Sequence, residues 1–214
     1  MTTTANGWTI VPIPSSWRFT TMDWTIRVPT TQNASPYTGT VNQVQVWPGA
    51  DGWLVTVTVP PLCDEDAREW ESFLWDAQGG ATAFMIGHPL RRKPMGSAKA
   101  ASAAGIVVNG TQAGMAGTLN LRGFAANAPR VLLKGDHISV NSRLYMVRDL
   151  YVSADASGHA TVTIGPTLRE AVTDGMVVTT VNPTGMFRLV KSDAPFNIDQ
   201  NRFTTMSLAC VEAR

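Results

Sequence analysis

The residues of this chain that could do chemistry are most concentrated in one stretch, KGDHISVNSRLYMVRD at positions 134–149. An imidazole that is oriented by a carboxylate is a common general base, and Asp136 stands next to His137 here. Neighbouring residues on a β-strand, however, point to opposite faces. The alternating apolar residues therefore predict a β-hairpin that turns at Asn141–Ser142, with a solvated His137 at its edge. A hydrolase built around Asp136, His137 and Asp149 stays open as a hypothesis.

Other chemically useful residues are scattered or share one surface. His88 precedes a proline and His159 lies in a glycine turn, and the sequence has no HxH, HExxH or CxxC spacing for a metal. Paired catalytic carboxylates must face each other across a cleft, whereas five acidic residues share the solvent side of one predicted helix. These are Asp64, Glu65, Asp66, Glu69 and Glu71. The sequence therefore assigns no catalytic, metal-binding or cofactor-binding residue, and it predicts neither a cofactor nor an enzyme.

The charge balance argues against two classes of partner. Seventeen Lys and Arg residues stand against sixteen Asp and Glu residues, for a formal net charge of +1. This gives no basic excess to attract nucleic acid or an anionic membrane, so neither is expected as a partner. The two cysteines are expected to be reduced thiols. No secretory signal and no apolar run of about 18 residues is present, so we expect a soluble protein made in the cytoplasm.

The first part of the chain reads as β-strands followed by one helix. The cleanest strand is WLVTVTVPP at 53–61, in which apolar side chains alternate with threonines. The period then changes, and Trp70 and Phe73 fall on one face of a helix predicted for about 64–78. Acidic residues in the first turn and Gly79–Gly80 at the end fit the start and stop signals of a helix. A short strand, ATAFMIGHP, follows.

The rest of the chain predicts a second β unit inserted into the first. A linker of small and basic residues at about 90–105 leads to a β-meander that extends to residue 182. The last two strands are too few to stand alone, so they are predicted to return to the N-terminal sheet. The predicted fold is mainly β: a discontinuous β-sandwich or split-barrel domain with one packed helix at 1–96 and 183–214, and an inserted small β-barrel-like domain at 97–182.

This layout resembles a family of minor tail proteins of tailed bacteriophages. The resemblance covers about residues 15–214 and is moderately specific only when its two blocks are taken together. They are VTVPPLCDEDAREWESFLWDAQGGATAFMIGHP and the later LLKGDHISVNSRLYMVRDL, with IGPTLREAVTDGMVVTT and NPTGMFRLV following. The chain is most similar to a distal tail protein of a long, non-contractile, siphophage-type tail.

The resemblance implies a structural virion protein at the tail tip, near the baseplate. Such a protein forms a homo-oligomeric ring, usually a homohexamer, that connects the tail tube protein to the hub or tip protein. The N-terminal domain builds the ring and the inserted domain projects outward. The family supplies no catalytic residues. A trimeric tail hub subunit is the alternative within the same machinery.

The strands of the predicted ring domain suggest where subunits meet. Exposed edge strands usually carry Lys or Pro, which prevent pairing with other chains. The strands WLVTVTV and FTTMSLACV carry neither, so each is either central or paired with another chain. The interface is predicted to use residues from 17–60 and 196–212. The candidate interface residues are Trp24, Val57, Phe203 and Met206.

Two binding functions remain as alternatives. A carbohydrate-binding or receptor-binding module needs exposed aromatic rings on the inserted domain, which has no tryptophan and offers Tyr145 and Tyr151. The strand count of the insertion also allows a nucleic-acid-binding barrel, but the charge does not favour it.

Overall fold

The computed structural model describes residues 3–47, 49–100 and 105–214. Pro48, and residues 101–104 of the predicted linker, lie outside the described residues. Strands make up 42% of the described residues and helices 9%, which confirms the mainly β fold class with one packed helix and a small barrel. In the described part of the chain, no helix has the length and apolar character to span a membrane.

The described residues form eighteen strands, one α-helix and two short 3-10 helices. The helix α1 is Asp64–Asp76, and the 3-10 helices are Gln78–Gly80 and Ser97–Ala100. The strands are β1 Thr3–Ala5, β2 Trp8–Ile10, β3 Thr21–Arg27, β4 Thr30–Ala34, β5 Val41–Val46, β6 Gly52–Leu62, β7 Phe84–Ile86, β8 Val107–Val108, β9 Thr118–Arg122, β10 Leu132–Leu133, β11 His137–Val140, β12 Arg143–Val147, β13 Tyr151–Val152, β14 His159–Gly165, β15 Val178–Thr179, β16 Gly185–Leu189, β17 Phe196–Ile198 and β18 Thr204–Glu212.

The main sheet joins the two ends of the chain. Its strand order is β3-β6-β18-β16-β7, with antiparallel pairing, and β17 adds to part of β18. The prediction that the last strands return to the N-terminal sheet is therefore confirmed. Strands β6 and β18 lie inside the sheet, so the absence of Lys from WLVTVTV and FTTMSLACV reflects central positions. The hairpin β4–β5 leaves this sheet as a separate two-stranded ribbon.

The helix α1 covers one face of the main sheet, as its Trp/Phe stripe predicts. Trp70 and Phe73 are buried. The ring of Trp70 stacks on that of Trp17 with centroids 5.1 Å apart, and Phe73 meets Phe84 of β7 edge to face at 5.2 Å. The helix stops before Gly80, whose φ of 94° favours glycine; a side chain there would collide with the Leu189 carbonyl.

The segment from β8 to β15 forms a nearly closed barrel. Its strand order is β15-β11-β12-β14-β9-β8, and an antiparallel bridge between Val107 and Val177 brings the two ends of that order together. β11 and β12 are joined by Asn141–Ser142, both with positive φ, as a two-residue hairpin turn requires. This confirms the predicted turn. The division into two domains stays a prediction, although the strand pairing follows it.

The barrel and the main sheet share a wall, the β11–β12 hairpin. Along β12, Tyr145 and Val147 point into the barrel core, whereas Leu144 belongs to the core between the main sheet and α1. Because successive side chains of a strand face opposite sides, both faces of β12 are buried. One strand therefore supplies hydrophobic contacts to two cores.

A lysine at Val57 should strongly destabilise the protein, because the Val57 side chain is 0% exposed within the core of the main sheet. We expect Val57→Lys to lower the free energy of unfolding by about 3 kcal/mol or more, since an unpaired charge is buried. Thermal unfolding followed by circular dichroism measures this. Thr56→Lys is the matched control, because the neighbouring Thr56 is only half-buried on the opposite face; equal destabilisation by both variants would contradict the assignment.

Candidate functional site

The two carboxylates of residues 134–149, those of Asp136 and Asp149, accept hydrogen bonds from the backbone. The Asp136 carboxylate is 1% exposed and accepts the Met95 and Leu133 N–H groups, each at 2.8 Å. The Asp149 carboxylate accepts the Thr163 N–H at 2.6 Å. Each carboxylate thus fixes backbone, and the structure does not pair either one with the imidazole of His137.

The prediction that His137 is solvated is wrong, because the residue is buried. It is 4% exposed and packs where the barrel meets the main sheet. Its ring centroid lies 5.1 Å from that of His88, 5.6 Å from Trp53 and 6.4 Å from Trp24. In the described part of the chain, Nδ1 of His137 has no hydrogen-bond partner. The imidazole acts as an aromatic packing group.

The surroundings of His137 favour its neutral form. Burial is the largest cause that lowers its pKa, and the nearby His88 and Arg91 add to the effect, so the pKa falls from 6.5 to about 4. Burial and Arg91 also lower the pKa of His88. Both imidazoles are therefore uncharged at neutral pH, which is compatible with their place beside tryptophan rings.

A buried ion-pair network lies beside this aromatic cluster and ties the barrel to the last strand of the main sheet. The Arg169 guanidinium donates to both oxygens of Glu212, at 2.9 and 2.7 Å, and to Asp51 Oδ1 at 3.3 Å. The side chains of Arg169 and Glu212 are almost completely buried. Charge-assisted bidentate pairing of this kind compensates two charges for leaving water.

Neighbouring groups complete the network. Burial alone would raise the pKa of Asp51, but hydrogen bonds from Thr167 and the charge of Arg169 outweigh it, so the pKa is lowered. Burial raises the pKa of Tyr145 to about 12, and its hydroxyl oxygen accepts the backbone N–H of Arg169 at 3.3 Å. Arg143 is also buried; it pairs with Glu170 at 2.6 Å and donates to the Ala213 carbonyl.

The junction formed by the aromatic cluster and the ion pairs can position two units, but its geometry does not assemble a reaction centre. Asp136, His137 and Asp149 have separate structural environments, so the structure does not bring the hypothetical hydrolase residues into a hydrogen-bonded set. Among residues 3–47, 49–100 and 105–214, no three His, Cys, Asp or Glu side chains are grouped to hold a metal ion. Neither the burial of His137 nor the ion pairs carried a sequence signal.

The candidate interface residues fall into two groups. Val57 and Met206 are 0% and 4% exposed in the protein's own core, so their side chains do not face a neighbouring subunit, and this part of the prediction is corrected. Trp24 is half-buried and meets Trp53 edge to face at 5.7 Å. Phe203 is exposed. For Trp24 and Phe203 the interface role stays a prediction.

The most exposed apolar surface of the N-terminal region lies within the predicted interface segment 17–60, but none of the four candidate interface residues belongs to it. It lies on the β4–β5 hairpin and on the chain that leads into it. Its exposed members are Ile26, Val28, Tyr37, Val41, Val44 and Trp47. The sequence signal was present in VNQVQVW, where valines alternate with polar residues, but the same pattern describes a strand whose valines face a core. We call this set the hairpin surface.

Two other sequence-based candidates have structural positions. Glu69 of the acidic helix accepts hydrogen bonds from both the backbone and the hydroxyl groups of Ser15 and Ser16, so it fastens the N-terminal segment to α1. Of the two tyrosines of the insertion, Tyr145 is buried, and Tyr151 is exposed with the Arg130 guanidinium 5.8 Å above its ring. The pair does not form an exposed aromatic platform.

Removal of Arg169 should be far more damaging than removal of an exposed arginine. We expect Arg169→Met to lower the free energy of unfolding by about 3–5 kcal/mol, because Glu212 and Asp51 lose their cation while Glu212 stays buried. The control Arg122→Met breaks an exposed pair with Asp174 and should cost about 1 kcal/mol or less. Urea denaturation measures both. Similar losses would argue against the network as the anchor, whereas partial recovery in Arg169→Met/Glu212→Gln would support it.

Burial of neutral His137 should make the protein less stable in mild acid. The pKa of His137 in the folded protein, about 4, lies below the ordinary 6.5. Between these two pH values the unfolded chain binds a proton at His137 that the folded protein does not bind. The stability is full above pH 6.5, falls as the pH drops, and is lower by about 3 kcal/mol below pH 4.

Urea titrations between pH 7 and 4 measure this contribution. The variant His137→Phe should show a flatter stability profile than the wild type over that range. A profile of His137→Phe that runs parallel to the wild type would contradict a neutral His137 in the folded protein.

No protein-family model matches this chain, and no curated protein matches it. Its function therefore has to be argued from its own residues: the junction that joins barrel and sheet, and the hairpin surface that the fold leaves uncovered.

Proposed function

We propose that this chain is a structural virion protein of a phage tail tip. It forms a homo-oligomeric ring, as a hexamer, that connects the tail tube protein to the hub or tip protein at the baseplate. The proposal assigns the chain no catalytic activity and no cofactor. It places the protein in the virion, after synthesis in the host cytoplasm.

The hairpin surface is the observation that carries this proposal. A two-stranded ribbon is marginal in water by itself, yet β4–β5 presents exposed valines and Trp47. Ile26 is 60% exposed and Val44 is 55% exposed. Several large apolar side chains exposed on one segment of the chain favour contact with another protein. More than half of the exposed large hydrophobic side chains among the described residues fall within 17–60 and 196–212, the segments predicted for the interface.

The rest of the fold is compatible with a ring subunit. The main sheet is rigidly backed by α1 on one side, and the barrel is fixed to it by buried ion pairs. A chain with only 15% charged residues can bury much of its outside against neighbours without desolvating many charges. The phage-tail resemblance of the sequence supplies the identity of the partners.

The oligomeric state tests the ring directly. Light scattering coupled to gel filtration should give a mass near six times 23.0 kDa, with ring-shaped particles in negative-stain images. A trimer would move the assignment to a tail hub subunit. A monomer at every concentration would contradict a self-assembling ring.

Variants of the hairpin surface test where the subunits meet. Ile26→Lys/Val44→Lys should abolish the oligomer while leaving the fold intact, because exposed substitutions change stability by only about 0.5 kcal/mol each. The matched control is Leu150→Lys on the barrel, where the leucine is 74% exposed; it should leave the oligomer unchanged. Circular dichroism confirms that both variants are folded. A ring that survives the double substitution would exclude the hairpin surface as an interface.

A further inference from the structure

A cavity of about 610 Å³ opens at the end of the main sheet where β6 begins. Gly52 and Trp53 of β6 form part of its wall, and Trp8 of the β1–β2 hairpin closes another side. Three arginines line it: Arg27 at the end of β3, Arg188 in β16 and Arg214 after β18. They come from separate parts of the chain and meet only because the sheet places these strand ends together.

We call this cavity, with its three arginines, the arginine cavity. In the described part of the chain, none of the three arginines has a carboxylate partner. Arg214 donates instead to the carbonyls of Gly49 and Ala50, at 2.8 and 2.9 Å. Glu212 also lines the cavity, but Arg169 already holds both of its oxygens.

The charges around the cavity do not balance. Burial lowers the pKa of Arg214, and the positive charges of Arg169 and Arg27 lower it further. Glu212 and Asp51 act in the opposite direction but do not cancel these effects. An excess of guanidinium groups beside two tryptophan rings suits carboxylates, because the planar donors of arginine can grip a carboxylate with two hydrogen bonds.

The same chain carries carboxylates at the opposite end of the same sheet. β6 pairs its first residue, Gly52, with Arg27 at the cavity, and it ends at Leu62, directly before α1. The first turn of α1 is acidic, with residues 64–66 all Asp or Glu. At roughly 3.3 Å per residue, the eleven residues of β6 separate the two patches by about 33 Å. One copy therefore cannot satisfy its own cavity with its own acidic turn.

We propose that the arginine cavity of one subunit binds the carboxylates of Glu65 and Asp66 from a second copy of this chain. The contact is head to tail: each subunit donates its acidic turn to one neighbour and its cavity to the other. Such a heterologous contact closes into a ring when the rotation between copies allows it. Asp64 already pairs with Arg68 of the same helix at 2.7 Å, so Glu65 and Asp66 are the carboxylates left to a neighbour. This inference rests on the proposed homo-oligomer and names its contact.

Charge reversal on the full-length protein tests the contact. Arg27→Glu/Arg188→Glu and Glu65→Arg/Asp66→Arg should each weaken self-association by about tenfold or more, measured by sedimentation velocity over a concentration series. Their combination in one chain should restore association, because every interface then carries the reversed pair. Raising the salt from 0.1 to 0.5 M should weaken self-association of the wild type and of the restored variant alike.

A matched control and the possible outcomes separate this inference from the proposed function. Lys134→Glu/Arg148→Glu makes the same charge change on exposed barrel residues and should leave association unchanged. If the cavity variants still form rings as the wild type does, the charge contact is overturned but the proposed ring is not. Failure of the combined variant to restore association would likewise overturn the pairing of these two patches. A wild type that stays monomeric throughout would overturn both the ring and the contact.

Discussion

The arrangement of the whole chain depends on how the Arg169 guanidinium is compensated. The arginine follows the last long strand of the barrel, its bidentate partner Glu212 ends the last strand of the main sheet, and Asp51 precedes the longest strand. Three distant parts of the sequence thus converge on one cation. Because a buried charge without its counter-ions is strongly unfavourable, alternative orientations of barrel and sheet that separate these groups are disfavoured. Leu144 of the barrel adds a hydrophobic contact between the same two units, because it packs in the core of the main sheet.

The shared hairpin explains why the stretch at 134–149 looks like a reaction centre. A strand with one face in water needs apolar residues only on the other face. β11 and β12 have a neighbour on both faces, and their buried polar groups are satisfied by specific partners: Ser139 donates to the Thr184 carbonyl at 2.7 Å, and Arg143 pairs with Glu170. Polar residues that become buried in this way have the composition of an active site while serving to join two units.

The sequence predicts features that depend on local periodicity. The helix at Asp64–Asp76 and the strand at Gly52–Leu62 follow their apolar spacing, and the Asn141–Ser142 turn follows from residues that tolerate positive φ. It fails where burial depends on a distant partner. The alternation around Val57 is the same whether that face meets α1 or another subunit, so the sequence places Val57 at the subunit interface instead of in the core. The sequence predicts a solvated His137 for the same reason, since no local pattern indicates that Trp24, Trp53 and His88 pack around it. The sequence does not predict the arginine cavity, because its three arginines come from distant parts of the chain.

The points at which the chain enters and leaves the barrel lie side by side, since the Asn182 N–H donates to the Arg92 carbonyl at 2.6 Å. In terms of chain connectivity, the barrel is therefore replaceable. A short loop between these two residues could take its place at a small entropic cost of loop closure. The contacts of the barrel limit such a replacement. Excision would expose Trp53, whose indole N–H donates to the Leu144 carbonyl at 2.9 Å, and it would leave the buried Glu212 without Arg169. A different domain could occupy the same place in a descendant of this chain only if it brought its own cation and its own apolar wall. The modularity of this architecture is thus limited by electrostatics and packing rather than by topology.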